Sequence, residues 1–77
     1  MNVVEKLIKR FSEDYEDEVG VIYELNDSYY IKNSNPYSTL LMKYDSNLRR
    51  TDEFALLTDE SGERVRDEGK IIFNILK

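Results

Sequence analysis

The sequence contains neither histidine nor cysteine, only three glycines and a single proline. Without histidine there is no imidazole general base, no Ser-His-Asp arrangement and none of the commonest zinc ligand. Without cysteine there is no disulfide, no thiolate metal site and no thiol nucleophile. Gly20, Gly62 and Gly69 lie far apart, so no glycine-rich loop exists to cradle a phosphate. The serines, Ser28, Ser38 and Ser61 among them, stand in no recognisable nucleophile motif. Long apolar runs are missing too. Met1 to Phe11 carries Lys6, Lys9 and Arg10 between its apolar residues, so neither a signal peptide nor a membrane span is expected, and a cytoplasmic location is.

Carboxylates are the chemistry that remains, and 16 acidic residues make chance pairs inevitable. Asp59, Ser61 and Glu63 alternate as the ligands of a calcium loop do, but the further oxygen ligands and the closing bidentate glutamate are missing, which favours a polar turn. A small domain also has little room for a deep cleft once its core is packed. The expectation is a protein that is not an enzyme, with no catalytic residue, metal or cofactor.

What is present suffices for one core. The chain has 77 residues, of which 40% are hydrophobic, with six tyrosines and three phenylalanines, and a single small α+β domain over residues 1–77 is expected. A domain of this size without disulfide or metal often gains burial by self-association, which keeps a homodimer open. Residue types with AT-rich codons number 29 against ten for Gly, Ala, Arg and Pro together, which points to an AT-rich genome, and small acidic proteins of this kind are common on phages and other mobile elements.

Val4, Leu7, Ile8, Phe11 and Tyr15 share one helical face, predicting a helix from about Val3 to Glu16, with Asn2 as N-cap and Glu5 completing a capping box. From Val19 to Leu25 the period becomes two, predicting a strand. Asn26, Asp27 and Ser28 form a turn into a second strand, Tyr29 to Asn33, which ends in the loop Asn33-Ser34-Asn35-Pro36. Residues 36–48 read as a helix capped by Asn35 and Pro36 or as a strand; Ser38 and Thr39 tilt the balance to strand. Phe54 to Thr58 reads as a fourth strand, Asp59 to Gly62 as a turn into Glu63 to Arg66, Gly69 as another turn, and Ile71 to Leu76 as a buried closing strand. The predicted fold is α+β: an N-terminal amphipathic helix packed on an antiparallel meander of about five strands, with a possible second helix at 36–48.

Charge is distributed unevenly. Residues 1–12 carry +2, 13–27 carry −7, 28–50 carry +3 and 51–77 carry −3, within a net charge of −5. Glu13, Asp14, Glu16, Asp17 and Glu18 flank Tyr15 at the C-terminal end of the predicted helix, where the macrodipole is negative and each acid costs a few tenths to about 1 kcal/mol. Solubility alone accounts for a solvated charge run. The sharper expectation is a protein–protein interaction surface, with Glu13, Asp14, Tyr15, Glu16, Asp17 and Glu18 docking on a basic, unidentified partner protein. One alternative is homodimerisation through an edge strand, either Val19 to Leu25 or Ile71 to Leu76. Another is a nucleic-acid surface of Tyr30, Lys32, Tyr37, Lys43, Arg49 and Arg50, with Tyr29 and Tyr44 beside them; 11 basic against 16 acidic residues disfavour it.

Overall fold

The computed structural model describes residues 2–76, which form two helices and five strands. Helix α1 spans Val3–Tyr15, and the strands are β1 (Val19–Leu25), β2 (Ser28–Asn33), β3 (Leu40–Tyr44), β4 (Arg50–Ala55) and β5 (Lys70–Asn74); helix α2, Glu60–Glu68, lies between the last two. The α+β class and the meander stand. Strands β1 to β4 follow one another as antiparallel neighbours, and β5 returns to the far side of β1, giving the order β4-β3-β2-β1-β5.

Helix α1 forms where its periodicity places it. Asn2 Oδ1 accepts the Glu5 N–H at 2.9 Å, and Asn2 Nδ2 donates to Glu5 Oε1 at 3.2 Å, so the two residues cap the first turn reciprocally. Leu7 and Phe11 are buried, with Val3, Val4, Ile8 and Tyr15 packed around them. This stripe sits on Val19, Ile22, Ile31, Met42 and Tyr44 from one face of the sheet. Asn26 and Asp27 both adopt positive φ, the conformation of a two-residue hairpin turn, so Ser28 pairs with Leu25 and belongs to β2 rather than to the turn.

Of the two readings of residues 36–48 the favoured strand forms, and two further expectations need correction. Residues 40–44 are the strand β3, so the helix considered for 36–48 does not form; Leu41, Met42 and Tyr44 pair across β2 and β4 and supply both sheet faces. The fourth strand is Arg50–Ala55 instead of Phe54 to Thr58. Its register is set by pairing with β3, Leu41 opposite Phe54 and Tyr44 opposite Arg50, and Leu57 and Thr58 have already turned away. Finally, Asp59 to Gly62 opens helix α2, whose Asp59 side chain accepts the Ser61 N–H at 2.9 Å as N-cap. Only Gly62 and Val65 of α2 are buried, too few to print a helical period.

Helix α2 covers the opposite face from α1. A second cluster there joins Val65 to Tyr23, Tyr30, Leu41 and Leu56, with Val21, Leu25 and Phe54 around it. Alternation along the strands divides the two cores: Ile22 and Ile31 face α1, and Tyr23 and Tyr30 face α2. Gly20 lies at an irregularity in the β1–β2 pairing between Val19 and Val21, and a Cβ there would stand 2.5 Å from the Asn33 carbonyl oxygen.

Candidate docking site

The acidic run sits where α1 hands over to β1. Glu16 ends the helix in the left-handed conformation, φ 52°, with its N–H donating to the Ser12 carbonyl at 2.8 Å. Ser12 Oγ then donates to the Asp17 carbonyl at 3.3 Å. Asp17 is built into the connection: Oδ1 accepts the Glu18 N–H at 2.8 Å, and Oδ2 accepts from Asn33 Nδ2 at 2.9 Å. The Glu18 carbonyl accepts the Ser34 N–H at 2.8 Å, tying the same segment to the end of β2.

These contacts divide the six predicted residues. Glu16, Asp17 and Glu18 are brought together with Ser12 on the rim of a groove of about 550 Å³, whose apolar walls are Ile8, Val19, Phe73 and Ile75. Glu13 lies elsewhere, bordering a separate depression with Lys6, Lys9, Arg10, Asn47 and Leu48. Asp14 accepts the Tyr44 hydroxyl at 2.8 Å and lies 3.8 Å from Arg10 Nε, so it anchors the helix to the sheet. Tyr15 stacks on Phe11 with ring centroids 5.0 Å apart, and its hydroxyl is buried without a hydrogen-bond partner among the described residues. Burial pushes its phenol above the ordinary range. Glu13, Glu16 and Glu18 are exposed, and their carboxylates make no ion pair or hydrogen bond with described residues.

Sequence periodicity missed the groove walls because they come from three distant segments. Ile8 follows from the α1 stripe, but nothing local places Phe73 and Ile75 beside it. That juxtaposition arises because β5 pairs with β1, Phe73 opposite Ile22, and the Ile75 N–H donates to the Gly20 carbonyl at 2.9 Å. Strand β5 runs Lys70–Asn74 instead of Ile71 to Leu76 and, as an edge of the sheet, is only partly buried instead of buried; Ile71 within it and Ile75 and Leu76 beyond it are 49%, 38% and 90% exposed. Val19–Leu25, by contrast, is flanked on both sides and offers no edge.

The residues considered for nucleic acid do not share one surface. Tyr30 is buried on the α2 face, 5.9 Å from the Phe54 ring, with Lys43 Nζ 5.8 Å from its centroid. Lys32 Nζ donates to the carbonyls of Asn33 and Asn35 at 3.1 and 2.8 Å. Tyr37 projects from the β2–β3 loop, and Arg49 lies 3.8 Å from Asp45 in the β3–β4 turn. Arg50 is opposite Tyr44, on the α1 side. Tyr44 itself is fully buried, and Tyr29 packs partly against the α1 core. Asp45 is held below the usual carboxylate range by the backbone N–H groups of Arg49 and Asn47, at 3.0 and 2.9 Å, which mark it as a turn residue.

Asp59, Ser61 and Glu63 occupy the start of α2, and among the described residues no three acidic side chains converge as a metal site would require. No helix is long and apolar enough to cross a membrane among the described residues.

The left-handed Glu16 carries a testable cost. A side chain is disfavoured at that φ, whereas glycine is the preferred residue just past a helix. Glu16→Gly is expected to raise stability by about 0.5–1 kcal/mol in urea denaturation, although it removes a residue from the groove rim. Neither a protein-family model, nor a curated protein, nor a solved structure matches this chain.

Proposed function

We infer that this protein is a non-catalytic interaction module that docks a basic partner protein on the groove between α1 and β5. The observation that carries this reading is the combination at one place of apolar walls, Ile8, Val19, Phe73 and Ile75, with the carboxylates of Glu16, Asp17 and Glu18 around them. A solubilising charge run needs no apolar floor, whereas an interface uses one for affinity and the charges for steering and partner choice. The net charge of −5 works in the same direction, repelling acidic competitors and drawing basic surfaces.

Asp14 and Asp17 hold the fold through Tyr44 and Asn33, so a clean test leaves them in place. The double variant Glu16→Lys, Glu18→Lys is expected to lower recovery of a basic partner from host lysate at least about tenfold, with the far-ultraviolet spectrum unchanged. Glu13→Lys, outside the groove, is the matched control and should bind as the parent does. Raised salt should weaken capture by the parent. Recovery of the same proteins in equal yield by the double variant would remove the reading.

A second reading, homodimerisation, is supported by the exposed apolar side chains of Ile71 on the edge strand β5 and of Ile75 and Leu76 just after it. Sedimentation at micromolar concentration separates the two, since a strict monomer leaves that edge free.

A further inference from the structure

We propose that the partner segment adds to β5 as a sixth strand, and that it is an extended peptide alternating basic and apolar residues. The proposal rests on the docking role inferred above and specifies what the groove receives. Its starting point is the asymmetry of the two sheet edges. β4 is guarded: Arg50, Asp52 and Glu53 are exposed along it, and charges of this kind prevent strand addition. β5 reads Lys-Ile-Ile-Phe-Asn, with a single charge, and its outer side meets no strand among the described residues. An apolar edge left open in this way is a template for main-chain pairing.

The side chains around that edge favour a strand over a helix as the occupant. Successive residues of an added strand point to opposite sheet faces. On the α1 face they would meet the groove formed by Ile8, Phe73 and Ile75. On the α2 face they would meet Ile71, which is half exposed and is paired with Tyr23 across an irregularity in the β1–β5 ladder that sets Ile71 and Phe73 on opposite faces. A helix would contact one face only and leave the backbone groups of β5 unpaired. The acidic rim then selects the charge: Glu16 and Glu18 have no partner of their own among the described residues and stand where bases of the incoming strand would lie. A second copy of this chain fits less well, because its own β5 brings one base, Lys70, within a chain of net charge −5.

The test uses the full chain and three synthetic peptides of about seven residues, capped at both ends. The first alternates lysine with valine, the second rearranges the same residues into helical spacing, and the third replaces lysine by glutamate. The alternating peptide is expected to bind at least tenfold more tightly than either other peptide, and to slow amide hydrogen exchange within β5 but not within β4. Ile71→Lys, at an exposed position, should weaken that binding about tenfold; Glu18→Lys is a second variant that leaves the strand untouched and should also weaken it. Equal binding of the helical-order peptide, unchanged exchange in β5, or a free chain that sediments as a dimer with β5 already protected would overturn the proposal. If β5 gains no protection while Glu16→Lys, Glu18→Lys still loses the basic partner, strand addition falls and the docking role stands. If that double variant keeps its partner, the docking role falls as well.

Discussion

Tyr44→Ala is expected to destabilise the protein by about 3–5 kcal/mol, the range for removing a buried aromatic ring. That is a large share of the roughly 4–12 kcal/mol available to a domain of this length, so the urea midpoint of the variant should fall well below that of the parent. Tyr44 is fully buried in the α1 core and is the largest side chain so placed. Its hydroxyl also crosses the core boundary to Asp14 on α1, at 2.8 Å. Tyr44→Phe keeps the ring and removes that bond to a carboxylate, and should cost about 1.5 kcal/mol. Urea denaturation of the pair separates packing from hydrogen bonding; equal losses would show that the ring contributes nothing beyond its hydroxyl.

The same residue makes stability fall at high pH. Burial, then the hydrogen bond to Asp14, pushes the Tyr44 phenol well above its ordinary value near 10, and burial pushes Tyr15 in the same direction. Below about pH 10 both folded and unfolded chains hold these protons, so the contribution is whole. Above it the unfolded chain releases them first, and stability declines as pH rises, by up to about 1.4 kcal/mol per pH unit for each tyrosine so displaced. Tyr44→Phe removes one of the two groups and should flatten the decline between pH 10 and 11, measured by thermal unfolding.

Gly62→Ala is expected to destabilise the protein by about 2–3 kcal/mol, against the sign that helix propensity alone would give. Within α2, alanine in place of glycine should gain close to 1 kcal/mol. The tertiary structure reverses this, because a Cβ at Gly62 would stand 2.2 Å from the Ala55 carbonyl oxygen and 2.8 Å from the Leu56 Cα. Both obstacles are backbone, so α2 itself must move off the sheet rather than a side chain stepping aside, which places the cost toward the upper end of overpacking. The loss should appear in urea denaturation, with faster amide exchange in α2 than in α1. A more stable variant would mean that α2 is not seated as described.

Much of this was legible locally, and the reason is the amount of surface each element buries. Helix α1 shows its stripe because Leu7, Phe11 and their neighbours meet a whole sheet face, and β1 and β2 alternate because each separates two cores. Helix α2 prints no period because Gly62 and Val65 are the residues it buries. Its charge signature was present all the same: Asp59 as cap, Glu60 and Glu63 in the first turn, Arg66 in the last, the order a helix dipole favours. Strand β4 escaped because an edge strand of Arg50, Thr51, Asp52 and Glu53 carries no apolar alternation, and pairing with β3 decides its position.

The acidic run follows the same division. Its composition and its placement at the unfavourable end of α1 are properties of the sequence, as are the missing histidine and cysteine. Which acids face a groove, which anchor α1 to the sheet and which stand apart depended on contacts between segments far apart in the chain. Tyr44 and Asn33 claim Asp14 and Asp17 for the fold, and β5, folding back beside β1, supplies the apolar walls that Glu16 and Glu18 border. Local propensity acts over a few residues, whereas the choice of sheet edge and the pairing of distant strands are settled by burial across the whole chain.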